Sequence, residues 1–231
     1  MRDLERARDF LRQNSWSAGI PEPLREAFLQ EGMLRQFERD VAVYRQGDPT
    51  NGLYGVVEGG IAFQIAPYEK GPNFAHYIRP GFWFGEMEIL GDCPRHYTLV
   101  TTRPTSCLFL PLHAIDSLAA AHPTLWKCLG RLSVEHIALS IGAVDDLMIR
   151  DSTERIAAIL LRLIDARIRD NTVEAVPEID ATQDDIAAMA NMGRSAVVKC
   201  LGAFEAAGLI RRKYRRIEVL NQSELRCLLS Q

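Results

Sequence analysis

The chain has 231 residues, 47% of them hydrophobic and 25% charged, with a formal net charge of −3. That length suits two domains with cores of their own, and the composition is ordinary for a soluble protein. No run of roughly 18 apolar residues occurs, so no transmembrane helix is expected, and five scattered cysteines (Cys93, Cys107, Cys128, Cys200, Cys227) read as reduced thiols in a cytoplasm.

The opening segment, to about Gly32, reads as helical, with Leu4, Ala7 and Leu11 and then Leu24, Phe28 and Leu29 as its apolar faces. Its charged start lacks the apolar stretch of a signal peptide. From Leu34 to Pro111 the pattern changes to short apolar runs punctuated by turn residues. Val41–Tyr44 precedes Gly47-Asp48-Pro49, Leu53–Val57 precedes Gly59-Gly60, and Ile61–Ile65 precedes Pro67; Tyr97–Thr101 and Ser106–Leu110 follow. Short strands at regular spacing predict an antiparallel sandwich or roll.

From His113 the chain turns helical. Between Pro123 and Arg150, Val134, Ile137, Ile141, Val144 and Met148 recur at the 3,4 spacing of a coiled-coil seam. A second line, Leu132, Leu139, Ala143 and Leu147, is placed to pack inward, on the roll. One long helix with two apolar lines predicts a dimer interface; a buried helix in a monomer is the alternative. Asp151-Ser152 then caps a new helix carrying Ile156, Ile159, Leu160 and Leu163.

The most informative stretch is TQDDIAAMANMGRSAVVKCLGAF, from Thr182 to Phe204. Thr182 with Asp185 three residues on has the pattern of a capping box. Asn191-Met192-Gly193 can turn, and Val197, Cys200, Leu201 and Phe204 form one face of a second helix. Arg194, Ser195 and Lys199 lie on another face. Two strands, Leu209-Ile210 and Ile217–Leu220, flank Lys213-Tyr214-Arg215, a hairpin without the usual Gly or Asn. Between Arg194 and Arg216 stand seven basic residues and the single acid Glu205. A helix pair with that charge is the footprint of a DNA reader; an ordinary helical hairpin with a solvated basic rim is the alternative. The tail from Asn221 is expected to be a short helix with Leu225, Leu228 and Leu229 inward.

This order of roll, long helix and winged helix-turn-helix resembles the cyclic-AMP receptor protein / fumarate-nitrate regulator (CRP/FNR) family of bacterial transcription factors, over residues from about Ile20 to Leu229. YRQGDPTNGLYGVVEGGIAF is similar to the first half of the family's roll, PGFWFGEMEILGDCPRHYTLVTT to its phosphate-binding cassette, and DSTERIAAILLRL to the first helix of its DNA-binding domain. The resemblance implies an α+β chain in three parts: residues 1–122 an effector-sensing, cyclic-nucleotide-binding-like antiparallel β-roll with N-terminal helices, 123–151 the dimerisation helix and hinge, and 152–231 a winged helix-turn-helix.

In the family's cyclic-nucleotide binders a Gly-Glu pair and an Arg-Ser pair hold ribose and phosphate. Gly85, Glu86 and Arg95 match these positions, but His96 stands at the hydroxyl residue and Tyr97 replaces a small one. The residues expected to face a base are Ser140 and Ile141. The candidate effector residues are therefore Gly85, Glu86, Arg95, His96 and Ser140, with a cyclic nucleotide as one candidate ligand. A family fold with an altered cassette, in which Glu86 and Arg95 satisfy each other, is the alternative. The first cysteine is Cys93, so an iron–sulfur cluster of the family's N-terminal type is not expected. Cys93 and His96 alone are a weak metal or haem signal.

The candidate DNA contacts are Thr182, Arg194, Ser195, Lys199, Arg211, Arg212 and Arg215. Where much of the family carries Glu and Arg, this chain has Ser195 and Lys199, so its operator should differ. The candidate dimer residues are Val134, Ile137, Ile141, Val144 and Met148. The reading is a cytoplasmic homodimeric DNA-binding regulator, with duplex DNA and a second copy as partners and RNA polymerase as a candidate third. A small-molecule-binding protein whose C-terminal domain makes protein contacts is the alternative. No phosphate loop, dinucleotide fingerprint or zinc-protease motif suggests an enzyme.

Overall fold

The structure, a computed structural model, describes residues 2–13, 16–65, 73–164 and 176–230. The turn expected at Pro67 lies outside these residues. The chain divides into two compact units, Met1–Gln64 with Ile78–Ile137, and Ile65–Tyr77 with Ala138–Gln231.

The first unit opens with α1 (Arg2–Gln13), a 3-10 turn (Trp16–Gly19) and α2 (Glu22–Gln30). Pro23 sits in the first turn of α2, where its missing N–H costs nothing. Arg8 of α1, 8% exposed, donates to the carbonyls of Leu29 (3.0 Å) and Gln30 (2.7 Å) and so satisfies the end of α2.

Strands β1 (Met33–Phe37), β2 (Ala42–Tyr44), β3 (Gly52–Glu58), β4 (Ile61–Ile65), β5 (Asn73–Ile78) and β6 (Trp83–Phe84) follow. Then come helix α3 (Glu86–Gly91) and strands β7 (Thr98–Thr101) and β8 (Thr105–Pro111). They form two four-stranded sheets, β1-β8-β3-β6 and β2-β7-β4-β5. The pairs β1·β8, β3·β8, β3·β6, β2·β7 and β4·β7 are all antiparallel. This is the expected roll. Tyr54, Phe84 and Phe109 fill its interior, with Tyr54 stacked on Phe84 at 5.3 Å. A second cluster around Trp83, Phe28 and Leu29 fastens the N-terminal helices to it.

Helix α4 (Leu112–Ala121) ends before Pro123, and α5 (Thr124–Met148) runs unbroken for 25 residues. The inward line fades along α5. Leu132 is 2% exposed, Leu139 and Ala143 are half-buried, but Leu147 is 45% exposed, contrary to expectation. At 3.6 residues per turn Leu147 has drifted about 60° round the helix from Leu132, toward the other apolar line.

In the second unit α6 (Ser152–Leu163) is capped by Asp151, whose Oδ1 accepts the N–H groups of Thr153 (2.8 Å) and Glu154 (2.9 Å). Ile156, Ile159, Leu160 and Leu163 are fully buried, as their spacing predicts. Buried Arg162 pairs with Asp146 at 2.6 Å. Strand β9 (Glu178–Ile179), helices α7 (Gln183–Ala190) and α8 (Arg194–Ala206), strands β10 (Ile210–Lys213) and β11 (Arg216–Val219), and α9 (Gln222–Cys227) complete the unit. The three strands form a sheet in the order β10-β11-β9. In α9, Leu225 is fully buried; Leu228 and Leu229, just beyond it, are half-buried.

Candidate functional site

The candidate residues gather in two places, the helix pair with its hairpin and the cassette around α3.

The capping box forms as read. Thr182 Oγ1 accepts the Asp185 N–H at 3.1 Å, and Asp185 Oδ2 accepts the Thr182 N–H at 2.7 Å. Asn191 ends α7 in the left-handed conformation (φ 50°), and Gly193 begins α8. Val197, Leu201 and Phe204 are buried and Cys200 is half-buried. That inward face turns Arg194, Ser195 and Lys199 outward, all exposed.

The hairpin closes with only Tyr214 and Arg215 between Lys213 and its partner Arg216. Arg215 supplies the left-handed residue, φ 58°. A non-glycine residue there costs roughly 1–2 kcal/mol, offset here by pairing of both strands and by the contact of Ile217 with Ile179 on β9.

Structure redraws the charge count. Acids both within and outside this stretch lie beside most of the basic residues. Arg194 meets Asp184 at 3.4 Å, Arg211 and Lys213 both meet Glu218, Arg212 meets Glu205, and Arg216 meets Glu178 and Asp180, each at 3.0 Å. Of the seven basic residues only Lys199 and Arg215 make no ion pair among the described residues. The Arg194–Asp184 pair is widely exposed, so it is worth little and leaves Arg194 available. Arg212 is held more firmly: Glu205 accepts its backbone N–H (2.8 Å) and its Nε–H (2.7 Å). Thr182 is committed to its cap.

In the cassette, Gly85 precedes α3 at φ 101°, and a Cβ there would lie 2.7 Å from Arg95 Nη1. Arg95 does not pair with Glu86, correcting that alternative. Its side chain is fully buried and its Nη1 donates to Glu88 Oε2 at 3.2 Å and to the Gly85 carbonyl. Its Nη2 donates to Asn51 Oδ1 (3.0 Å) and the Gly52 carbonyl (2.7 Å), and the guanidinium lies 4.3 Å from the Tyr44 ring centroid. The other oxygen of Glu88 accepts the backbone N–H of His96 at 3.1 Å. Glu86, 2% exposed, instead meets His136 Nδ1 at 2.7 Å and accepts from Ser133 Oγ at 3.3 Å. His136 stacks on Phe82.

The sequence reading missed Glu88, Asn51, Ser133 and His136. The signal for Glu88 was an acid two residues beyond Glu86, at a spacing that helix geometry turns away from it. The His96 side chain is half-exposed, with Nδ1 3.9 Å from Cys93 Sγ. Among the described residues no group of three or more metal-ligating side chains is gathered. Ser140 is exposed on α5.

Val134, Ile137, Ile141, Val144 and Met148 are 56–74% exposed on α5. No helix among the described residues is long and apolar enough to cross a membrane.

Residues 34–122 match the cyclic nucleotide-binding domain family, and residues 154–228 the Crp-like helix-turn-helix domain family. The chain is 24% identical to a CRP-like cAMP-activated global transcriptional regulator of Mycobacterium tuberculosis, over 82% of this chain and 84% of that one. It is 25% identical to the HTH-type transcriptional regulator Cmr of the same species, over 94% of this chain and 88% of that one. In fold it is similar to the crystal structure of TTHB099, a CRP-family transcriptional regulator from Thermus thermophilus. The TM-score is 0.65 at 24% identity, over 85% of this chain and 97% of that one.

Proposed function

The chain belongs to the CRP/FNR family of DNA-binding transcription regulators, and from that premise we propose that it acts in the cytoplasm as a homodimer on an inverted-repeat operator, one α8 per half-site. The observation that carries this reading is the outward face of α8. Arg194, Ser195 and Lys199 stand exposed on its N-terminal part, over a face closed by Val197, Leu201 and Phe204. The N-terminal part of a recognition helix is what meets base edges in the major groove. Arg194 takes a guanine through O6 and N7 with its two-pronged donor set, Ser195 bonds a neighbouring base, and Lys199 acts as a point charge on base or phosphate.

The exposed stripe on α5 supports the dimer. Burial of an aliphatic side chain contributes about 1.5–3 kcal/mol, and a line of five exposed apolar residues at coiled-coil spacing is what a second copy of the helix covers. Residues 1–122, 123–151 and 152–231 are then the sensing, dimerising and DNA-reading parts. A regulator so placed has RNA polymerase as a further partner.

Selection of preferred sites from random duplexes tests the reading. The wild type should yield an inverted repeat with half-sites centred roughly one helical turn apart. Arg194→Ala should lose the preference at one base pair per half-site, at a cost of about 1–3 kcal/mol each. An unchanged site pattern in the variant would remove α8 as the sequence reader.

A further inference from the structure

In the cassette, donors of Arg95 and His96 meet a carboxylate of the chain itself. A guanidinium N–H of Arg95 and the backbone N–H of the next residue, His96, converge on the two oxygens of one carboxylate, at 3.2 and 3.1 Å. Two converging donors, one of them charged, are the recognition unit for a carboxylate or phosphate. The carboxylate belongs to Glu88, which is fully buried, as is the Arg95 side chain. The other acceptors on Arg95, from Asn51, Gly52 and Gly85, are neutral, so Glu88 alone balances its charge.

We propose that Glu88 is an internal substitute for a phosphate, filling the anion subsite of the roll and excluding cyclic nucleotides from it. The Nη1–H of Arg95 and the backbone N–H of His96 are already in use, while the Arg95 Nε–H is buried without a partner among the described residues. A second anion brought to this buried place would face Glu88 at close range, where water screens like charges poorly. The matched domain family is named for cyclic-nucleotide binding, and in this chain a residue of α3 takes the place of the nucleotide's charged group. Glu88 is thereby the residue that sets ligand specificity. This inference concerns the roll alone and stands or falls apart from the reading of α8.

The test is thermal unfolding of the full-length protein in millimolar cyclic AMP, inorganic phosphate, or chloride of matched ionic strength. The wild type should show the same midpoint in all three. Glu88→Ala strands a buried cation, so its midpoint should fall in chloride and rise by about 5 °C or more in cyclic AMP or phosphate, because a ligand of the folded state stabilises it. Should the variant be unfolded in chloride, the same response appears as recovery of its circular dichroism on adding either anion. The double variant Arg95→Ala/Glu88→Ala should not respond, since the cation is gone. The proposal is overturned if cyclic AMP shifts the wild type as much as the single variant. Equally fatal would be a Glu88→Ala protein, folded or not, that answers neither anion, or a double variant that responds like the single one.

Discussion

Glu205, near the end of α8, accepts the backbone N–H of Arg212 at 2.8 Å and its Nε–H at 2.7 Å, which ties the recognition helix to the first strand of the hairpin. Helix α8 and the hairpin are therefore held together as one piece. The backbone N–H of Arg212, and then its side chain, hold the Glu205 carboxyl below its ordinary range. Glu218 is lowered in the same direction, by Lys213 first. A carboxylate whose folded pKa is depressed contributes stability above its unfolded pKa, about 4.3, and loses it as pH falls through the folded value. The wing should thus be intact at neutral pH and loosen only under acid. Glu205→Ala should speed amide exchange at Arg212 at neutral pH and leave α6 unaffected; equal exchange in both proteins would show that the tie does not hold the wing.

The charge pairing predicts unequal roles for the basic residues. Lys199 and Arg215, which make no ion pair among the described residues, should each flatten the salt dependence of DNA binding by roughly one unit per phosphate contact when changed to alanine. Arg216→Ala should change the slope less, because Glu178 and Asp180 already take its charge. Binding isotherms from low to moderate salt decide the matter, and equal slopes for the three variants would contradict it.

The stripe on α5 predicts the oligomeric state. Ile141→Asp/Val144→Asp would bring four carboxylates into one two-helix seam, and desolvating unpaired charge there costs several kcal/mol. The wild type should sediment as a dimer and the double variant as a monomer with unchanged helix content. A variant that remains dimeric places the interface elsewhere.

Thiol chemistry offers a check on the cores. Burial pushes the Cys107 thiol up to about 12, and the buried Cys128 is raised as well, also by burial. Thiolate is the reactive form. At neutral pH a disulfide reagent should label exposed Cys227 fast and half-buried Cys93 and Cys200 more slowly; Cys107 and Cys128 should react only on unfolding. Fast labelling of Cys107 in the folded protein would place β8 outside the core.

Helix-turn-helix and cap were legible because each is a local pattern. Thr182 and Asp185 are three residues apart, so the box closes within one turn wherever that helix packs. The alternation of strand residues with turn residues from Val41 to Pro111 likewise determined a roll, since period-two faces must find a common core. What the linear chain hid was pairing across distance. Arg95 was expected to reach a ligand or Glu86, yet α3 turns Glu88 toward it and sends Glu86 to Ser133 and His136 on α5, some fifty residues away. The excess of positive charge between Arg194 and Arg216 was real along the chain but partly cancelled in space by Asp184, Glu178, Asp180 and Glu218. Local hydrogen bonding and periodicity act over one or two turns and are written in order along the sequence. A buried charge takes whichever counter-charge the fold brings within about 3–4 Å, and that choice exists only once the elements have packed.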